Sequence, residues 1–468
     1  MNESLKTYEL LRVQLISAFA GAREKAEREG QPVLAAVSVE VEPQTPIAMI
    51  SALPGYDAQR FFWQCQTDVM VGFGATQTLT AESGQARERF FWCEQQWQAL
   101  RARLWVEGPC LPRWCGGFAF DPEATTSELW RHFPAASLTL PRLMYLSQHG
   151  QAYLMVTHWV AADTRSDALA CQLLNEWSQL LEKAEVISSA VEASTDYALQ
   201  DCLDASLWKD QVADTIKAIQ QGTMHKAVLA RTVVMTLPHS VLVAEVLQQL
   251  SEHYPEAYLF AFERDGHCFL GASPERLVRL QQGQLETMAL AGTMARGKTP
   301  SEDAGLSDQL MNSRKDRYEH QLVVNSLREA LSPLCRSLTI PETPCVYRLA
   351  QVQHLLTPIT GELSSEVGAL SLVSVLHPTP AVGGLPRDIA LRHIRAHEQM
   401  DRGWYAGPVG WLDSDGNAEF AVALRSGLLR DDKAYLFAGC GIVADSQPDA
   451  EYQETCLKLK TMVAALSA

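Results

Sequence analysis

No stretch of the chain approaches the ~18 to 20 uninterrupted apolar residues that a membrane-spanning helix needs. The apolar runs near Leu154 and Leu436 are of strand length and end at polar residues or glycine. Paired cysteines are also missing: 11 are spread singly with no C-x-x-C, which excludes a disulfide frame or zinc site and predicts small buried hydrophobes in a reducing cytosol. Basic charge is short. Lys+Arg 39 against Asp+Glu 55 leaves a net charge of −16, without the basic face that nucleic acid requires. Charged residues at 20% beside hydrophobic residues at 47% exclude overall disorder. The opening Met1-Asn2-Glu3 places an acid where a signal peptide would be basic, so no export and a cytoplasmic location are expected. There is no internal repeat and no low-complexity tract.

What is present reads as α+β. Helical spacing in residues 3 to 29 (Leu5, Tyr8, Leu11, Leu15, Phe19) gives way to strand-like runs at Val33–Val41, Phe61–Cys65 and Tyr153–Val160. A polar, Ser/Ala/Glu-rich stretch between about Leu181 and Asp204 is the best boundary candidate. It separates residues 1–205, an N-terminal α+β region taken as part of the same domain, from residues 206–468, where the functional signals lie. Beyond it come a helix through Lys217, a strand at Lys226–Met235, a helix at Val241–His253 and strands at Ala257–Phe262 and His267–Gly271. One amphipathic helix is expected from Ser307 to about Leu334, and the last helix follows Asp445-Ser446-Gln447-Pro448.

Three tempting motifs fail. Gly439-Cys440-Gly441 follows a strand, but no helix opens at the glycines and no further strand remains before Ala468, so a dinucleotide site is excluded. Backbone N–H groups there would still suit a carboxylate. His393 and His397 with Glu398 have a zinc-like spacing, yet Arg392 and Arg395 crowd them with positive charge; a solvated helix face is the reading. Ser273 is followed by Pro274, which breaks a nucleophile elbow.

Acid pairs carry more. Glu451, Glu454 and Lys458 share one face of the last helix, with Tyr452, Leu459, Val463 and Leu466 expected on the buried side. Asp316 and Glu319 form a second i, i+3 pair on the long helix. Two such helices, if they meet, make an oxygen-rich set of the kind that holds Mg²⁺.

These residues bring out a resemblance. Lys226 in Lys-Ala-Val-Leu-Ala-Arg, Gly271-Ala272-Ser273-Pro274-Glu275-Arg276, Leu290-Ala291-Gly292-Thr293, Lys315–His320, His377-Pro378-Thr379-Pro380-Ala381, Gly407-Pro408-Val409-Gly410, Ala423-Leu424-Arg425-Ser426 and Gly439–Ser446 stand in the order seen in chorismate-utilising enzymes. The chain is most similar to the menaquinone-specific isochorismate synthases, closely from about Leu207 onward and loosely before. The resemblance implies two large antiparallel sheets wrapped by helices, with a central site and a Mg²⁺-dependent isomerase activity: water adds at C2 of chorismate and the C4 hydroxyl leaves. Lys226, where anthranilate synthases usually have glutamine, favours water as nucleophile and implies no amidotransferase subunit. Ala381, where lyase members tend to have threonine, favours stopping at isochorismate. A salicylate synthase, a siderophore-linked isochorismate synthase and an inactive chorismate-binding homologue are the alternatives.

The roles it implies are Lys226 as general base and Glu275 as general acid. Glu319 and Glu454 would be Mg²⁺ ligands, with Asp316, often glutamate in relatives, and Glu451 secondary. Arg425, Tyr405 and the Gly439 and Gly441 amides would clamp the enolpyruvyl carboxylate, Lys458 would neutralise remaining charge, and Thr293, His377 and Ala381 would border the substrate. A base at neutral pH needs a lysine depressed by burial or by a cation such as Arg231, and an acid needs a carboxyl raised by an apolar pocket.

Overall fold

Alternation along the strands sorts side chains between two cores. In Tyr258–Arg264, Tyr258, Phe260 and Phe262 face one core while Leu259 and Ala261 face another. In Gln59–Cys65, Phe61 and Trp63 take the first and Phe62 the second. The first core lies between two sheets. The second is covered by helices Asn2–Glu29, Ser166–Val186, Val243–His253 and Pro448–Leu466, which supply Phe19, Trp177, Leu250 and Met462 to it. The computed structural model describes residues 2–51, 59–66, 68–124, 126–186, 197–349, 351–364 and 367–467.

Among these residues the sheets have 13 and 10 strands. Pairing is antiparallel throughout except where Val33–Glu40 meets Leu104–Glu107. This is the α+β architecture of two large antiparallel sheets wrapped by helices. Strands from both halves of the chain are interleaved: Gln59–Cys65 pairs with Tyr258–Arg264 in one sheet, and Arg113–Phe118 pairs with Pro408–Asp413 in the other. The stretch considered as a boundary begins inside helix Ser166–Val186; residues 187–196 lie outside the described residues, and Ala198–Asp201 pairs with strand Lys226–Thr236.

Two expectations are corrected. The amphipathic segment is two helices, Pro300–Asn312 and Arg314–Leu331, because Ser313 leaves the helical region (ψ 118°) and its hydroxyl caps the second helix by accepting from the Asp316 N–H at 3.2 Å. The His393–His397 face is half-buried and only partly solvated. The His393 Nε2 meets the Thr215 hydroxyl at 2.8 Å, the two imidazoles stack at 3.8 Å, and the Glu398 side chain is 2% exposed.

An aromatic cluster locks the centre. Trp404 packs edge-on against Phe133 and Phe262, and Trp130 stacks on Phe437 at 5.4 Å. Trp404→Ala should therefore cost about 3 to 5 kcal/mol in urea unfolding, the usual loss for a large buried aromatic. Truncating the 60%-exposed Leu10 should cost no more than about 0.5 kcal/mol.

Candidate active site

The segment Lys226-Ala-Val-Leu-Ala is apolar enough to be an interior strand, and it carries the Lys226 side chain fully out of water. Its Nζ lies 2.8 Å from Glu319 Oε1 on helix Arg314–Leu331. Arg231, the expected cationic neighbour, lies elsewhere: five positions along a period-two strand it takes the opposite face, pairs with Asp201 and donates to Thr455 Oγ1 at 2.7 Å. A carboxylate, not a guanidinium, is what Lys226 meets.

Beside this pair lies a cavity that reaches the Lys458 and Arg425 side chains. Of the expected site residues, Glu275, Thr293, Glu319, Ala381, Tyr405, Arg425, Gly439, Gly441, Glu454 and Lys458 line it. Lys226 stands behind Glu319 and Gly441. A Cβ at Gly441 would lie 2.3 Å from Glu319 Oε1 and 2.8 Å from Lys226 Cε, so a side chain there would have to push one of them aside. His377 does not border the cavity. Its ring is buried between Phe90 and Phe120, and Nε2 bonds to the Phe120 carbonyl at 2.9 Å.

Glu275 is 4% exposed, at the end of an apolar strand His267–Ser273. Burial pushes its carboxyl up to about 7, although Lys226, Lys458 and Arg425 pull it down. A carboxyl so placed holds its proton near neutrality and can give it away. Arg425 is a non-glycine residue at φ 48°, a strained conformation held by its carbonyl accepting from the Ala272 N–H at 3.1 Å. Its Nη2 is buried without a protein partner, and Tyr405, whose phenol is raised by burial, stacks on Phe437 nearby.

The glycine amides sit inside strand Lys433–Ile442, not in a loop. Ala230, opposite Gly439, donates its N–H to Glu398 and accepts Trp208 Nε1 at its carbonyl; Val228, opposite Gly441, is likewise bonded to Gly383 and Arg402. Neither pair exchanges ladder bonds, so the Gly439 and Gly441 amides point away from strand Lys226–Thr236. Strand Ser426–Arg430 on that other side pairs only as far as Leu436, which leaves those amides without a ladder partner among the described strands.

The two acidic helices do meet. Lys315 on one pairs with Glu451 on the other at 2.7 Å, and Lys458 pairs with Glu454 at 2.6 Å while also donating to the Gly439 carbonyl at 3.0 Å. Glu451 is buried, which rejects a solvated stripe, whereas Tyr452 and Val463 are only partly covered. Asp316 accepts from the Ser313 hydroxyl. The acids act on one another: burial and then the charges of Glu319 and Glu454 raise Asp316, and burial and then Glu454 raise Glu451. Burial would also raise Glu454, but the Lys458 ammonium outweighs it and holds that carboxyl below its ordinary value. Among the described residues no three Asp, Glu, His or Cys groups are placed to hold an ion as they stand, each of three acids being drawn to a lysine. A converging set of hard, mutually repelling oxygens nevertheless fits a divalent cation in kind.

Sequence reasoning missed His354. It lies on strand Val352–Leu363, lines the cavity, and is lowered to about 3, by burial first and then by Arg425 and Lys458. Its Nδ1 lies 3.1 Å from the Gly292 carbonyl, which can only accept, so the neutral ring carries its proton there. Nε2 is then a buried acceptor without a protein partner. Nothing in its local sequence separates it from the other histidines.

A family model described as chorismate binding enzyme matches residues 21–467. The chain is 43% identical to the salicylate biosynthesis isochorismate synthase of Pseudomonas aeruginosa, over 97% of this chain and 95% of that one. It is 34% identical to the isochorismate synthase MenF of Bacillus subtilis, over 95% and 96%. The solved structure of the menaquinone-specific isochorismate synthase MenF from Escherichia coli superposes with a TM-score of 0.76 at 27% identity, covering 96% of this chain and all of that one. A match spanning both sheets, both acidic helices and every residue that lines the cavity is a match to the whole machinery: the chain belongs to the family of chorismate binding enzymes.

Proposed function

We propose that this chain is an isochorismate synthase, an isomerase that adds water at C2 of chorismate and expels the C4 hydroxyl, with Mg²⁺ as cofactor. The observation that carries this reading is Glu275, a buried carboxyl that keeps its proton to about pH 7 in a cavity edged with cations. A departing hydroxide needs such a donor. In this reading Lys226 is the base that takes a proton from the attacking water, which requires its amine to turn from Glu319 towards the cavity. Arg425 holds the enolpyruvyl carboxylate by two hydrogen bonds, helped by Tyr405 and the Gly439 and Gly441 amides. The acceptor Nε2 of His354 suits a hydroxyl of the ring, and Lys458 balances charge beside Glu454.

Glu319 and Glu454 would hold the Mg²⁺, with Asp316 and Glu451 behind them. When bound, the ion would polarise the ring carboxylate as charge develops on the diene. Ala381 in the cavity wall offers neither donor nor acceptor to the side arm, which supports an enzyme that stops at isochorismate over one that goes on to expel pyruvate.

The expected use of the product is menaquinone synthesis, and the likeness to the two MenF proteins supports it. The higher identity to the P. aeruginosa enzyme favours a second reading, supply to salicylate synthesis by a separate lyase.

Incubating the pure protein with chorismate and Mg²⁺ should give isochorismate as the main product, and a chelator should stop turnover until Mg²⁺ is returned. Salicylate plus pyruvate as main products would make the chain a salicylate synthase, and no turnover would leave only a binding homologue. Undiminished turnover in excess chelator would remove the metal from the account.

The acid role fixes a pH dependence. With a folded value of about 7, Glu275 is the required protonated form below pH 7, so kcat should fall as pH rises through about 7. Glu275→Gln should cost on the order of 10² to 10⁴ in kcat and abolish that limb. Stability should move the same way. The folded value lies above the unfolded ~4.5, so wild type loses stability as pH rises from about 5 to 7. The melting temperature of Glu275→Gln relative to wild type should therefore be higher at pH 8 than at pH 5; an unchanged difference would mean that Glu275 does not titrate in this range.

A further inference from the structure

Strand Lys226–Thr236 is paired with Lys433–Ile442 along one edge, but its other edge is only partly covered. Gly384–Leu385 meets Lys226 and Ala227, and Ala198–Asp201 meets Val233 to Thr236. Between them, side chains take the place of a strand. The Ala230 N–H donates to Glu398 Oε1 at 2.7 Å, and the Val228 carbonyl accepts from Arg402 Nη2 at 2.8 Å. The same guanidinium donates through Nη1 to the Val382 carbonyl at 2.9 Å and through Nε to Glu398 Oε2 at 2.8 Å, and it lies 4.2 Å over the Phe120 ring. The Val228 N–H reaches the Gly383 carbonyl at 2.8 Å.

One buried ion pair thus spans two walls of the cavity. On one side is the strand that carries Lys226, two residues before Val228. On the other is the segment with Ala381, one residue before Val382. The Arg402 and Glu398 side chains are 4% and 2% exposed, and burying such a pair adds little stability because desolvation offsets attraction. Its use has to be sought in geometry. Four of the five guanidinium N–H groups are directed at fixed acceptors, an arrangement that lysine cannot reproduce.

We infer that the Arg402–Glu398 pair is a positioning device that sets the spacing between the Lys226 strand and the Ala381 segment, and so the pose of the ring between them. The inference rests on reading the cavity as the site of isochorismate formation.

The test uses Arg402→Lys and the neutral pair Glu398→Gln with Arg402→Met. Arg402→Lys should lower kcat by about 10 to 100-fold, as a misplacement of ~1 Å does, with KM moved by less than about 3-fold. The share of salicylate plus pyruvate beside isochorismate should rise. Amide hydrogen exchange should quicken in peptides covering 228–232 and 379–384 and stay unchanged in 433–442. The neutral pair should fold with a melting temperature near that of wild type yet remain slow. A neutral pair with wild-type kcat and product ratio would overturn the proposal, and so would unchanged exchange in both peptides of a folded Arg402→Lys. If either variant fails to fold, Glu398→Gln alone, which keeps one acceptor, gives the exchange comparison, and unchanged exchange at 228–232 there also overturns it. Wild type that forms no isochorismate would refute the proposed function, while the exchange result would still decide the positioning.

Discussion

An ammonium shut away from water has to face a carboxylate, and Lys226 faces Glu319 at 2.8 Å. The rest of the centre follows from that contact. Lys226 belongs to the 13-stranded sheet, whereas Glu319 rides on helix Arg314–Leu331, which His320 ties to the other sheet through the Thr357 hydroxyl at 2.8 Å. The pair therefore joins the two layers beside the cavity. It also explains Gly441: any side chain there would drive the lysine and the glutamate apart.

Around this contact the protein pairs its charges. The chain carries a net −16, and the cavity is lined by Arg402, Arg425 and Lys458 together with Glu275, Glu319 and Glu454, with Lys226 behind. Lys226, Lys458 and Arg402 each face a carboxylate, while the Arg425 Nη2 is buried without a protein partner. The acids that remain are sorted by environment: Glu275, away from any carboxylate cluster, is raised by burial, while Glu454 is held ionised by Lys458. Two carboxyls of one cavity thereby take opposite protonation states, one fit to give a proton and one fit to hold a cation.

Much of this was legible in the chain. An apolar run after Lys226 announced a buried strand, and i, i+3 spacing put Glu451 with Glu454 and Asp316 with Glu319. The motif order then brought these segments together through resemblance, which local pattern alone does not do. What stayed hidden was pairwise and distant in sequence. The Lys226–Glu319 contact, the orphan Nε2 of His354 and the Arg402–Glu398 bridge depend on which strands adjoin, and no periodicity records that. In the sequence Glu398 belongs to a helix face that reads as solvated, because Arg392 and Arg395 crowd it with positive charge. The apolar stripe continues across Ser313 while the helical backbone does not, so pattern alone gives one helix where there are two.

Water as the incoming nucleophile is the claim on which the roles of Lys226, Glu275 and the cavity all depend. The direct measurement is to run the reaction in oxygen-18 water and locate the label in isochorismate by mass spectrometry and NMR. The account predicts one solvent oxygen in the product, at the C2 hydroxyl, with the carboxylates and ether unlabelled. Isochorismate that forms without solvent label would show that the hydroxyl migrates within the molecule, and would contradict the assignment of a base that activates water.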